Sequence, residues 1–175
     1  MDPAVPEVPE VPAPLLALVL LLVRLGLRAG EVAAMRVADV DWRSGEILIR
    51  GKGDRQERLP LPVDVGDALG NYLQRGRAGD AGPSMFARVN APRGPLRSTA
   101  VEAVVHDACV RCGMAPVGAH RLRHTAATGI LRAGGSLPEI AQVLRHRRLE
   151  TTAIYAKVDR AALRPLAPSW PGTMR

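Results

Sequence analysis

The sequence predicts an α+β domain that is mainly α-helical and contains a small antiparallel β-sheet in the form of a hairpin. Most of its apolar residues recur at helical spacing. One stretch instead alternates in character around a glycine-containing turn, reading E-I-L-I-R at 46–50, G-K-G-D at 51–54 and E-R-L-P-L at 57–61. With 175 residues, 47% of them hydrophobic, the chain is long enough for one domain with its own core.

The predicted helices follow from apolar periodicity and from residues that favour helix ends. We place them at 15–24, 31–37, 65–75, 99–111, 120–132 and 137–144, with a short helix around Tyr155. Asp64 is the expected N-cap of the third helix. Two capping boxes are expected, one formed by Thr99 with Glu102 and one formed by Ser136 with Glu139.

The basic composition points to two interpretations. The net charge is +7 and the pI is about 10.6, and only Lys52 and Lys157 among the 24 basic residues are lysines. Arginine binds phosphate through a planar set of donors, so this composition is typical of a protein that binds a nucleic-acid backbone. A biased genome composition would also explain it, because Ala, Gly and Pro are abundant as well.

The two cysteines form a C-x-x-C pair at Cys109 and Cys112, with His106 three residues before it. A zinc site would need a fourth ligand, and the sequence has no second pair of cysteines. Because Val101, Val105 and both cysteines follow helical spacing, we expect both thiols to lie in the core.

The first 14 residues carry Pro3, Pro6, Pro9 and Pro12 at a period of three, which favours polyproline II. We interpret residues 1–14 as a proline-rich tail or the end of a linker; a P-x-x-P ligand is the other interpretation. The apolar run at 15–23 is too short to span a membrane, and the N-terminus carries no basic signal-peptide region. We therefore expect a soluble, cytoplasmic protein.

Several polar residues stand in motifs that are weak singly and informative together. Arg28 follows G-L with Glu31 three residues later, Lys52 lies in the G-K-G turn, and His120 and Arg123 are placed to share a helix face. His146 and Tyr155 lie nine positions apart near the C-terminus. A surface ion pair, a solvated turn lysine and a packing tyrosine are the alternatives. Together, a phenol, two imidazoles and guanidinium groups favour metal-free attack of a tyrosine on a phosphodiester.

These strings, G-L-R with a following acid, G-K-G, A-H-R-L-R-H-T and L-R-H with a tyrosine nine residues on, resemble the motifs of the tyrosine recombinases, the phage-integrase family. The resemblance covers 15–167 and implies an integrase-like catalytic domain. It implies that Tyr155 is the nucleophile, His120 the candidate base and Lys52 the candidate acid. His124 also matches, and we interpret it as structural support.

The resemblance also implies that Arg28 and Arg123 clamp the phosphate, that Glu31 supports Arg28, and that His146 hydrogen-bonds the phosphate or steadies the nucleophile. Arg145 stands where the family more usually has glycine. The implied function is site-specific recombination of double-stranded DNA through a 3′-phosphotyrosyl intermediate, in dimers or tetramers, with no cofactor, metal or membrane.

The expected organisation is a tail at 1–14, a catalytic domain at 15–167 and a C-terminal tail at 168–175. The N-terminal core-binding domain of the family is expected to be absent. A non-catalytic DNA-binding remnant of a truncated integrase is the alternative function, and type IB topoisomerase activity ranks below it.

Overall fold

The computed structural model describes residues 11–51, 53, 55–77, 82–88 and 94–145. Within these ranges the chain forms six α-helices and one antiparallel three-stranded sheet, which confirms the predicted fold class. In chain order the elements are α1 (Ala13–Arg24), α2 (Ala29–Ala34), β1 (Val40–Asp41), β2 (Glu46–Arg50), β3 (Gln56–Pro60), α3 (Val63–Asn71), α4 (Ser98–Arg111), α5 (Ala119–Arg132) and α6 (Leu137–Val143). A 3₁₀ turn at Val37–Asp39 precedes β1, and a π-helical turn at Tyr72–Gly76 extends α3.

Helix α1 is the central element of the core. It packs against α3 and α5 and also contacts α2 and α4, because apolar residues lie on nearly every side of it. Ala17, Leu18, Leu21 and Leu22 are all buried. The helix begins two residues before the predicted start, with Pro14 in its first turn, where the missing N–H is tolerated.

The sheet has the order β1-β2-β3, and the predicted hairpin is confirmed. In its register Ile47 pairs with Leu59 and Arg50 pairs with Gln56. Ile47 and Ile49 point into the core, while β3 is mostly exposed, so the hairpin is anchored through β2.

Helix α2 is shorter than predicted and is shifted towards the N-terminus. It ends at Ala34, and Met35 is already extended. The chain leaves the helix because this segment pairs with a distant one: the Met35 carbonyl accepts a 2.8 Å hydrogen bond from the Met85 N–H, and Arg36 forms a β-bridge with Ser84. Local periodicity carries no signal for such a pairing.

The prediction that Asp64 caps the third helix is wrong. Pro62 occupies the N-cap position and α3 begins at Val63, so Asp64 lies inside the first turn. Its side chain instead forms a 2.7 Å ion pair with Nε of Arg24 at the end of α1. Pro62 is extended, with φ −60° and ψ +144°, and the helix begins directly after it, two residues before the start that an Asp64 cap would give.

The capping box predicted for Thr99 and Glu102 is also wrong, whereas the one at Ser136 and Glu139 is confirmed. Helix α4 begins at Ser98 with Arg97 at its N-cap. Glu102 accepts a 2.6 Å hydrogen bond from the backbone N–H of Ala119 and so satisfies the first turn of α5 rather than that of its own helix. In the confirmed box, Ser136 N donates to Glu139 Oε2 at 2.6 Å.

Only one of the two cysteines lies in the core. Cys109 is buried, but Cys112 is exposed because it is the C-cap of α4, beyond the last turn that packs inward. The prediction for Cys112 is therefore wrong. His106 bonds the carboxylate of Asp107 at 3.3 Å. Across the described ranges no three His, Cys, Asp or Glu side chains are grouped in a way that could hold a metal ion.

Candidate active site

Arg28 lies in the short connection between α1 and α2, at the N-cap of α2. The connection turns through Gly26, which has φ +57°, a left-handed conformation that glycine adopts without steric strain. Leu27 then buries its side chain completely in the core. Arg28 itself is extended, and its side chain remains about half exposed (49%). The cation of Arg28 therefore lies at a surface turn, between the buried Leu27 and the start of α2.

Glu31 holds Arg28 through two hydrogen bonds, as the spacing predicts. Its Oε2 accepts the backbone N–H of Arg28 at 2.8 Å, and its Oε1 accepts Nη1 of Arg28 at 2.7 Å. The carboxylate is almost fully buried, with only 6% of the side chain exposed. A buried charge is stable only when it is paired and hydrogen-bonded, and Glu31 meets both conditions.

A second arginine shares the same carboxylate. Nη2 of Arg145, just after α6, donates to Oε2 of Glu31 at 2.7 Å. Burial raises the pKa of Glu31, but the backbone hydrogen bond of Arg28 and the charges of Arg145 and Arg28 outweigh it and hold the pKa below its usual value of 4.5. Glu31 is therefore an ionised carboxylate between two cations.

Arg123 of α5 is buried, with 3% exposure, and ties two distant segments together. Its Nη1 donates to the carbonyl of Gly26, and its Nη2 donates to the carbonyl of Leu144. Each carbonyl lies close in sequence to one of the two arginines that flank Glu31. Arg123 thus joins the connection before Arg28 to the end of α6.

His120 lies one turn before Arg123 but stays at the surface. Its Nε2 is 2.8 Å from Nε2 of His124, and the two rings meet edge to face with centroids 4.4 Å apart. Burial lowers the pKa of His124, and the nearby charges of His120, Arg123 and Arg121 lower it further. The imidazole of His124 therefore loses its proton more readily than an exposed histidine does.

A cavity of about 770 Å³ lies between α2, the hairpin and the residue after α6. Its charged lining consists of Arg28, Glu31, Arg50, Arg55, Glu57 and Arg145. Arg50 is oriented by the buried Asp39, whose Oδ1 accepts Nη2 of Arg50 at 2.7 Å. Four arginines against two carboxylates, one of them buried, make a lining that favours an anion.

Three of the predicted site residues, Lys52, His146 and Tyr155, lie outside the described residues. The chain on both sides of Lys52 is described, and Gly51 donates a 2.8 Å hydrogen bond to the carbonyl of Arg55 across the turn. Both of these flanking residues line the cavity. The predicted residues that the structure brings together directly are Arg28 and Glu31.

Sequence reasoning did not assign Asp39, Arg50 or Arg145 to the site. Arg50 and Asp39 carry no local motif, because their side chains meet across eleven positions, from the end of β2 to the 3₁₀ turn that precedes β1. Arg145 did carry a signal, since it stands where the family more usually has glycine, but no role in the site followed from it.

The chain is similar to known proteins in both sequence and fold. The family model described as the phage integrase family matches residues 6–162. The chain belongs to the phage integrase family. The protein y4rA of Sinorhizobium fredii strain NGR234, named an integrase/recombinase, is 48% identical over 159 residues, which is 89% of this chain and 39% of y4rA. The tyrosine recombinase XerC of Bifidobacterium longum subsp. infantis is 34% identical over 152 residues, 82% of this chain and 43% of XerC.

A solved structure extends the comparison to three dimensions. The site-specific recombinase XerH, determined bound to difH substrate in a pre-cleavage complex, matches with a TM-score of 0.70 and 25% identity, over 90% of this chain and 47% of XerH. The chain thus spans less than half the length of XerH, as it does of y4rA and XerC. None of the helices in the described ranges combines the length and apolarity that crossing a bilayer requires.

Proposed function

We propose that this chain is the catalytic part of a site-specific tyrosine recombinase, which cuts and rejoins DNA through a 3′-phosphotyrosyl intermediate. The observation that carries the proposal is the arrangement of Arg28: a buried carboxylate holds it, while half of its side chain is exposed beside an arginine-lined cavity. Membership in the phage integrase family supports the same chemistry.

In the proposed reaction, the scissile phosphate binds at the cavity and the guanidinium groups stabilise it. Attack on phosphorus increases the negative charge on the non-bridging oxygens. Arg28 donates hydrogen bonds to those oxygens, and His146 donates a further one. Planar guanidinium groups suit this role because their paired donors match two oxygens at once. Arg123, whose terminal nitrogens bond the carbonyls of Gly26 and Leu144, holds the two segments beside Arg28 in place.

The covalent step exchanges one phosphodiester for another. Oη of Tyr155 forms a bond to phosphorus, and the bond from phosphorus to the 5′-oxygen breaks. His120 accepts the phenol proton, and Lys52 donates a proton to the leaving 5′-oxygen. Rejoining reverses these transfers with the 5′-hydroxyl of another strand, so the energy of the linkage is conserved and no nucleotide is consumed.

The proposed partners are double-stranded DNA and further copies of this chain. XerH was determined in a complex with its difH substrate, and the net charge of +7 favours contact with a phosphate backbone. Recombination joins two duplexes, so the active form is proposed to be a dimer or tetramer on DNA. The proposed catalytic domain is 15–167, between a proline-rich tail at 1–14 and a C-terminal tail at 168–175.

The test is a covalent trap with nicked duplexes taken from DNA that flanks the gene. Wild-type protein is expected to give an adduct on a denaturing gel, and Tyr155→Phe is expected to give none while binding the same duplex in a gel shift. The matched control is Tyr72→Phe, which removes one hydroxyl from a buried ring stacked on Phe86. That variant should retain the adduct.

Other outcomes contradict the proposal in distinct ways. An adduct that survives Tyr155→Phe would show that another residue is the nucleophile. Binding by all three proteins without any adduct would favour the non-catalytic DNA-binding remnant.

A further inference from the structure

Arg145 adopts a backbone conformation that arginine normally avoids. Its φ is +52°, and it is the only non-glycine residue with positive φ in the described part of the chain. Helix α6 ends at its C-cap, Leu144, so Arg145 occupies the position just beyond, where glycine commonly supplies the left-handed turn. An ordinary helix end would not require an arginine here.

The neighbours of Arg145 determine this placement. Leu144 is fully buried against Gly26, and its carbonyl accepts a hydrogen bond from Arg123. The Arg145 N–H bonds the carbonyl of Gln142 at 3.0 Å and closes the end of the helix. The chain therefore enters residue 145 in one orientation, which directs its side chain towards α2.

The side chain of Arg145 makes a contact that a glycine could not make. It is nine-tenths buried, with 10% exposure, and its Nη2 lies 2.7 Å from Oε2 of Glu31. Its Nη1 contacts the Val143 carbonyl at 3.3 Å, and its buried Nε has no hydrogen-bond partner among the described residues. A left-handed backbone and an unsatisfied donor both disfavour arginine, so the contact with Glu31 is the evident reason for its presence.

We propose that Arg145 is a positioning residue: through the carboxylate of Glu31, it fixes the orientation in which Arg28 presents its guanidinium to the cavity. This inference rests on the proposed recombinase function. Each oxygen of Glu31 is used: Oε1 binds the side chain of Arg28, and Oε2 binds both the backbone of Arg28 and Nη2 of Arg145. Removing Arg145 leaves one side of a buried carboxylate uncompensated, and the carboxylate can then rotate or take up a proton.

Three substitutions separate the charge of Arg145 from the strain of its backbone. Arg145→Gly removes the charge and relieves the strained conformation. Arg145→Asn also removes the charge but keeps a side chain that tolerates positive φ. Arg145→Lys keeps the charge and the strain. If only the backbone strain mattered, the glycine variant would form the DNA adduct fastest of the three. If the ion pair with Glu31 matters, the lysine variant will form it fastest.

The first measurement is the single-turnover rate of adduct formation with saturating nicked duplex, across pH. We expect the glycine and asparagine variants to cleave roughly tenfold to a hundredfold more slowly, because Arg28 is no longer held in one orientation. We also expect the acid limb of their pH profile to lie at higher pH, and DNA affinity to change little. The lysine variant should recover part of the rate. A glycine variant that cleaves as fast as wild type, with the same acid limb, would overturn the inference.

The second measurement needs no activity. The carboxyl carbon of Glu31 is titrated by NMR in the wild type and the variants. The other charged groups that line the cavity, Arg28, Arg50, Arg55 and Glu57, are unchanged in all of them. The pKa of Glu31 should rise in the glycine and asparagine variants and fall back in the lysine variant. An unchanged titration in the glycine variant would overturn the inference.

The two measurements distinguish failure of the inference from failure of the proposed function. If wild-type protein forms no adduct while the titration of Glu31 shifts as expected, the recombinase function fails and the coupling of Arg145 to Glu31 stands. If wild-type protein forms the adduct and neither measurement responds to the glycine variant, the function stands and the inference fails.

Discussion

Gly26 and Leu144 pack in direct contact, although 118 positions separate them in the numbering of the chain. A Cβ atom placed on Gly26 would lie 2.6 Å from Cδ2 of Leu144, closer than such atoms approach in proteins. Leu144 ends α6, and Gly26 belongs to the connection that leads to Arg28. This contact therefore determines how closely the end of α6 approaches the candidate active site.

We expect Gly26→Ala to lower the free energy of unfolding by about 2–4 kcal/mol, because the new methyl group meets Leu144 and the alanine must adopt positive φ. Urea unfolding measures the change. The control is Gly129→Ala in the interior of α5, where no heavy atom lies within 4 Å of an added Cβ. That variant should gain roughly 0.5–1 kcal/mol from its higher helix propensity. Equal effects at the two sites would contradict this packing.

Replacing Arg123 with methionine should destabilise the protein by about 2–3 kcal/mol. The substitution keeps a long apolar side chain but leaves the carbonyls of Gly26 and Leu144 buried without their donor. Thermal or urea unfolding tests this at neutral pH without DNA. The matched change Arg121→Met, at an exposed position of the same helix, should stay within about 0.5 kcal/mol of wild type. A neutral Arg123→Met would mean that the guanidinium does not join these segments.

The imidazole of His124 should titrate below its usual pKa of 6.5, chiefly because it is partly buried and also because His120, Arg123 and Arg121 lie nearby. The folded state then binds a proton less tightly than the unfolded chain. The group therefore has no effect on stability well above pH 6.5 and opposes folding progressively as the pH falls through that value.

NMR titration of the His124 ring measures this pKa directly. His120→Asn removes one neighbouring charge and should raise the pKa of His124 relative to wild type. His106→Asn, on α4, changes a histidine that pairs with Asp107 and serves as the control, with no expected effect on His124. If the His124 titration is the same in all three proteins, the two rings on α5 are not coupled.

Most of the fold could be predicted from local patterns. The hairpin follows from alternation around G-K-G-D, and α5 and α6 follow from apolar periodicity with the glycines at 134 and 135 and the Ser136 capping box between them. The errors lie at helix ends. Glu102 caps α5 rather than its own helix, and Met35 leaves α2 to pair with Met85. Both depend on partners far away in the sequence, which local propensity cannot detect.

The candidate site likewise contains one contact that local spacing predicts and one that depends on a distant residue. The interaction of Arg28 with Glu31 is readable from a spacing of three residues at a helix start, and the structure shows the hydrogen bonds that this spacing predicts. The second cation on Glu31 is not readable, because Arg145 lies 114 positions away. The departure from the family's usual glycine at Arg145 is visible in the sequence, but its partner is not.

The sequence by itself determined the family and the mainly helical α+β fold and supplied the proposed site residues, because motifs and periodicity are local properties of a chain. Only the tertiary structure decided that Arg123 is buried between two backbone carbonyls and that Glu31 is shared by two arginines. Those facts depend on how α1, α5 and α6 pack. Packing brings distant groups out of water together, and a buried charge then has to be paired there.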